Sequence, residues 1–391
     1  MKYKHLEIEC VGEDLYTIKN LATNRYVKMG SRETEYLLKC LEYQGDEFIF
    51  GNDTQLDQDE KKFMLQKFKE WGFLNEDEEI KEKKDITKIK LCEIDPSACL
   101  DKVPKWIQNL FSLRGAIIIL GLTAIAYYLI LRESDFVLQA ATDCLHLSLG
   151  DYIIFYIMMV YTTMLHELGH AICCYKNGGK VLSMGLMLFF LMPCFFCDVS
   201  DIYMFKDRKK SFSVAVSGIA INYAMGTLGC ILFILLAAHN IYIPLLLFYY
   251  LANLGFVVFN LIPFVKLDGY WVVSSLLEVD NLMDKSILTF CTGVIKPGEL
   301  KNIDCSSAKK RKLFLYGFSA IVFRPVFWII SVYSAYQFLA AKDMSYLCGV
   351  VVGFVFVVIY KDISDLLKRY VEMYKNQKQR VLGIGRRKSN G

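Results

Sequence analysis

Inside an apolar run from Tyr152 to Tyr175 stands the pentapeptide His166-Glu167-Leu168-Gly169-His170. If the run is helical, His166 and His170 lie one turn apart on one face, about 6 Å along the axis. Two imidazoles so related can hold one zinc ion, and Glu167 is placed to act as general base on a water activated there. The alternative is a coincidence in a core helix. Only five of the 391 residues are histidine, and three ionisable groups in so apolar a helix point to a site. Such a helix needs other helices around it to shield that site from lipid.

Composition agrees with a membrane setting. The chain is 54% hydrophobic and 14% aromatic, above the apolar share of an ordinary soluble domain. A net charge of +4 is too small to imply nucleic acid as a partner, and the basic residues gather beside apolar runs. The polar N-terminus, MKYKHLEIECVGED, lacks the apolar core of a cleavable signal. Most of the thirteen cysteines lie in apolar runs or in the N-terminal soluble part, which argues against a secreted disulfide framework.

Residues 1–80 have the size of one small soluble domain. His5–Cys10, Leu15–Lys19 and Arg25–Met29 are expected strands, Ser31 an N-cap for a leucine-bearing helix, and Asp57–Trp71 a second helix stopped by Gly72. Strands followed by helices, closing on Trp71-Gly72-Phe73-Leu74, predict a small α+β winged-helix-like module, the alternative being a plain cytosolic cap. Residues 81–109 are expected to be a charged linker and juxtamembrane segment, 110–365 the transmembrane domain and 366–391 a basic cytoplasmic tail.

The predicted architecture is a polytopic α-helical membrane protein with about six transmembrane helices. The expected spans are Leu110–Leu131, Tyr152–Tyr175, Ser211–Ala238, Ile241–Val265, Phe314–Ala340 and the short Leu347–Tyr360. Val181–Cys197, broken by Gly185 and Pro193, is read as a re-entrant or sheet-like segment buried in protein. The excess of basic residues in alternate loops places the chain in the cell membrane as a multi-pass protein with both termini cytoplasmic. His166 and His170 then lie toward the cytoplasmic end of the second span. The fourth span also runs inward, into NLIPFVKLDGY, so Asp268 arrives at a similar depth. A catalytic zinc needs a third protein ligand; Asp268 is the candidate, with Pro263 and Gly269 expected to loosen the helix around it.

HELGH on one span and NLIPFVKLDG on a later one resemble the site-2 protease family of intramembrane zinc metalloproteases. Pro193, the stretch CDVSD at 197–201 with the basic cluster after it, and Ser217-Gly218-Ile219-Ala220-Ile221-Asn222 resemble its peptide zinc metalloprotease subgroup. The resemblance covers roughly residues 110–275. It implies zinc on His166, His170 and Asp268, with Glu167 as the catalytic glutamate and Asn222 beside the site, orienting substrate. Ser217 stands where alanine is more usual, and the motifs leave no room between them for the PDZ domain of many bacterial members. The N-terminal part resembles the precursor-peptide recognition element of ribosomal peptide maturation, which binds a leader peptide as an added strand. The function so implied is cleavage of a ribosomally made precursor peptide in the membrane, with a peptide exporter as a further candidate partner.

Rival readings are a regulatory site-2 protease acting on an anti-sigma factor or signal-peptide remnant, and a non-proteolytic accessory of peptide export. A DNA-binding winged helix is disfavoured by an acidic surface. Cys173, Cys174, Cys194 and Cys197 are read as small buried hydrophobes rather than a redox pair. Arg324, beside Pro325, is read as structurally paired, and Asn253 and Asn260 as helix-to-helix hydrogen-bonders.

Overall fold

The structure, a computed structural model, describes residues 2–3, 5–12, 14–42, 58–74, 88–189, 192–302, 305–341 and scattered positions from 349 to 371. It divides into two compact units, Met1–Leu276 and Leu277–Gly391.

The first unit opens with an antiparallel sheet of four strands in sequential order: β1 (Lys2–Tyr3), β2 (Leu6–Cys10), β3 (Leu15–Asn20) and β4 (Arg25–Gly30). Helices α1 (Ser31–Glu42) and α2 (Gln58–Glu70) follow; the expected start at Asp57 lies outside the described residues. The two-residue period of a strand sends alternate side chains to opposite faces. Leu6, Ile8, Ile18 and Met29 therefore share one face and pack with Tyr36, Leu37, Leu41, Phe68 and Phe73. Thr17 and Lys19 point the other way, opposite Lys28 and Tyr26 of β4. That face is covered too, since Lys19 is only 2% exposed.

Within the expected linker, Lys88–Ile94 forms β5. Helices α3 (Ser97–Leu100), α4 (Lys105–Leu110), α5 (Leu113–Arg132), α6 (Ser134–Asp143) and α7 (Leu149–Lys176) come next. The hairpin β6 (Ser183–Phe189) and β7 (Met192–Asp198) pairs with β5 in an antiparallel sheet of order β5-β6-β7. Of the two readings open for Val181–Cys197, the sheet is the one formed. The strand at 88–94 escaped sequence reading because its charges resemble a solvated linker and its partner lies about a hundred residues away. Helix α6 lies in the stretch between the expected first and second spans. Helix α7 starts before Tyr152 because Ser148 and Asp151 make a capping box, with Ser148 N–H donating to Asp151 Oδ2 at 2.9 Å and Asp151 N–H to Ser148 Oγ at 3.2 Å.

Helix α8 (Arg208–Ala238) packs against α5 and α7, and also against the following α9 (Pro244–Asn260) and α10 (Asp268–Leu276). The expected fourth span is thus divided: helix ends at Asn260, seven residues turn, and Asp268 opens a new helix. In the second unit α11 (Leu282–Ile295), which lies between the expected fourth and fifth spans, packs along α12 (Ser307–Ala341). Arg324 of α12 donates to Met283 Sδ at 3.4 Å.

Among the described residues three helices, Leu113–Arg132, Arg208–Ala238 and Ser307–Ser334, are long and apolar enough to cross a membrane. The pair Ser134–His146 and Leu149–Lys176, bent by 103°, brings the number to four if it counts as one span. Helix α9 is short at 17 residues, and 347–360 is described only in part. The chain is a helical membrane protein with small sheets.

Candidate metal centre

Helix α7 carries His166 and His170 on one face, and the ring nitrogens Nε2 lie 3.2 Å apart. Asp268, first residue of α10, closes the third side: Oδ2 lies 3.0 Å from His166 Nε2 and Oδ1 3.4 Å from His170 Nε2. Ligands at zinc bond lengths and tetrahedral angles stand about 3.4 Å apart, so these spacings suit a shared ion. Asp268 is placed by tight backbone packing. A β-carbon at Gly269 would come within 2.5 Å of the Asn260 carbonyl oxygen and the Leu261 carbonyl carbon, so glycine lets α10 begin against the end of α9.

The tautomer of each imidazole follows from its outer partner. His170 Nδ1 faces the Val214 carbonyl at 2.7 Å. A carbonyl only accepts, so Nδ1 carries the proton and Nε2 the lone pair. For His166 the reasoning runs back through two amides. Asn253 Nδ2 donates to the Tyr249 carbonyl at 2.9 Å, which leaves Asn253 Oδ1 to accept from Asn222 Nδ2 at 3.2 Å. Asn222 then presents Oδ1 to His166 Nδ1, 2.6 Å away, and that nitrogen must donate. Both Nε2 lone pairs therefore converge on each other and on a carboxylate. Asp268 Oδ2, despite its 3.0 Å approach, is buried without a hydrogen bond in acceptable geometry. Two bare nitrogens and an unsatisfied carboxylate oxygen at this separation call for a cation.

Space is kept for one. Gly218 of α8 faces the pair, and a β-carbon there would collide with Nε2 of both histidines. His166, His170 and Asp268 are, among the described residues, a group able to hold a metal ion, their ligand atoms all within 4.8 Å of one another. The residues present fit zinc.

Glu167 lies near β7 and within electrostatic reach of His166, His170 and Asp268. Asn222 lies beside His166, and both ends of its amide are engaged inside the protein, on His166 and Asn253. It is 1% exposed. Ser217 Oγ donates to the Val214 carbonyl at 2.7 Å and lies 3.3 Å from His170 Nδ1. Sequence reasoning missed Val214, whose contribution is a carbonyl and leaves no side-chain signal, and the link from Asn222 to Asn253. Cys173 and Cys174 are buried, Cys194 and Cys197 half-buried, and none is in a disulfide.

Fold and site together define a helical membrane protein with two histidines and a carboxylate gathered at one point beside a glutamate. A stretch of 132 residues is 28% identical to "Putative peptide zinc metalloprotease protein YydH" of Bacillus subtilis (strain 168). The match covers 33% of this chain and 50% of that protein, so the chain spans about half the length of this curated relative. No family model and no solved structure matches the chain.

Proposed function

We propose that this chain is an intramembrane zinc metalloendopeptidase of the site-2 protease type, which cleaves a ribosomally made precursor peptide whose leader is captured by residues 1–80. The observation that carries the reading is the convergence of two imidazole lone pairs and the Asp268 carboxylate beside Glu167. The name of the Bacillus relative supports the metalloprotease part.

His166, His170 and Asp268 would hold the ion, which when bound supplies an activated water and a polarised peptide carbonyl. Glu167 takes the proton of the attacking water and returns it to the leaving amine. Among the described residues the last strand of the order β5-β6-β7 pairs with β6 alone, so its other edge can take an unwound substrate segment as an added strand. Asn222 serves as a positioning residue that fixes the His166 tautomer. The full reading has about six spans, with 347–360 the last, both termini cytoplasmic and a peptide exporter as partner.

Glu167→Gln keeps the size of the side chain and removes the base. Purified protein with this change should retain one equivalent of metal and lose cleavage of a candidate precursor peptide by at least a thousandfold. Cleavage at the wild-type rate ends the protease reading.

A further inference from the structure

The second face of the N-terminal sheet is tied to the metal centre through one buried carboxylate. Asp201 lies in the 3-10 turn Ser200–Met204, between β7 and α8. Its Oδ1 accepts from Lys19 Nζ at 2.6 Å and from Tyr26 OH at 2.8 Å; Oδ2 accepts from the Lys180 backbone N–H at 2.8 Å. Lys180 lies four residues beyond the end of α7, the helix that carries both histidines. Two residues past Asp201, the Tyr203 carbonyl accepts from Thr17 Oγ1 at 3.1 Å, and the Tyr203 ring lies 5.9 Å from that of Tyr26. The Tyr203 ring also meets Trp271 edge-on, with centroids 6.0 Å apart. Trp271 is on α10, three residues after Asp268, and so close to one helical turn beyond it.

One carboxylate thus joins three parts: β3 and β4 of the sheet, the turn behind the histidine helix, and, through Tyr203 and Trp271, the helix that begins with Asp268. We infer that Asp201 is a positioning residue for the metal centre, held in place by Lys19 and Tyr26, so that the N-terminal sheet is a working part of that centre and not a detachable tether. The contacts favour this over a plain docking role because they converge on the two elements that supply ligands. Trp271 adds a side-chain contact with Tyr203 to the packing of α10 against α8 and the end of α9. The inference rests on the metal-site reading above.

The test uses full-length protein in detergent and reads zinc affinity by competition with a chromophoric chelator, together with the ligand-field spectrum of cobalt(II) substituted at the site. Wild type should bind one equivalent. Asp201→Asn, Lys19→Met and Trp271→Ala should each weaken zinc by about tenfold, the low end of what loss of a group bonded directly to a ligand costs, and shift the cobalt spectrum. Trp271→Phe, which keeps an aromatic edge, should restore most of both. Lys67→Ala, which removes an exposed pair with Glu70, should change neither. If Asp201→Asn does not fold, Tyr26→Phe, which deletes one hydroxyl, takes its place with a smaller loss. Wild-type affinity and spectrum in the folded variants would overturn the inference and leave the metalloprotease reading standing. A wild type that binds no metal would overturn both.

Discussion

Gly218 and Asn222 sit one turn apart on α8; Asn222 meets His166 alone, and Gly218 faces both imidazoles. Asn222 sets which nitrogen of His166 is bare; Gly218 keeps open the space into which the bare nitrogens point. Gly218→Ala separates stability from metal binding. Alanine is better in a helix than glycine by about 1 kcal/mol, which offsets part of the about 1–3 kcal/mol of overpacking against the histidine rings, so the metal-free protein should melt only modestly below wild type. Yet the added methyl group fills the cradle against both Nε2 atoms, and zinc bound after purification should fall to well below one equivalent. A full equivalent in Gly218→Ala would show that the ion lies elsewhere. The HELGH pattern revealed which residues were candidates. Their protonation pattern was hidden, because it depends on a carbonyl at Val214 and an amide chain from Tyr249 through Asn253, 44 and 83 positions from the histidines they govern.

At the scale of elements, the docking of β3 and β4 onto the 3-10 turn is an ion pair out of water. Burial alone would raise the Asp201 carboxyl, but Lys19, the Lys180 N–H and the Tyr26 hydroxyl outweigh it and hold its pKa below the usual value. Burial first, then Asp201, push the Tyr26 hydroxyl upward, so it remains a neutral donor at any working pH. Removing one member of such a pair strands a buried charge and costs about 3–5 kcal/mol. An aspartate whose folded pKa is depressed contributes its full stability above the unfolded value of about 4 and loses it as pH falls through the folded value. The melting temperature of wild type should therefore exceed that of Asp201→Asn by a constant margin from pH 5 to 7, and the gap should close below about pH 4. A gap that closes between pH 5 and 7 would contradict this account. None of it was legible beforehand: Thr17 and Lys19 resemble the solvent face of an ordinary strand until their partners, 186 and 182 residues on, are seen.

For the molecule as a whole, all the residues of the candidate site belong to the unit Met1–Leu276. Without a cation, lone pairs and a carboxylate would face one another at 3.0–3.4 Å, a repulsion that protons must relieve. Binding to the folded state alone stabilises it by about 2.7 kcal/mol when free zinc is a hundred times its Kd. Chelation should therefore raise hydrogen–deuterium exchange in α7, α8 and α10 while leaving α11 and α12 unchanged, and zinc should reverse it. Equal exchange with and without chelator would place no metal at these residues.

Some of this was fixed by local sequence. Helical periodicity puts His166 and His170 on one face whatever surrounds them, and apolar length commits several segments to the membrane. Alternation in β2, β3 and β4 likewise commits one face to a core with Tyr36 and Phe68. Each of those outcomes depends on neighbours within a turn or two, where chain geometry leaves few choices. Tertiary structure alone decided how Asp268 reaches the histidines, by ending α9 at Asn260 and seating Gly269 against Leu261. It also turned a charged linker into β5 and bound Lys19 to Asp201. Those contacts join residues far apart in the chain, and their energy comes from desolvated partners meeting, which no local pattern encodes.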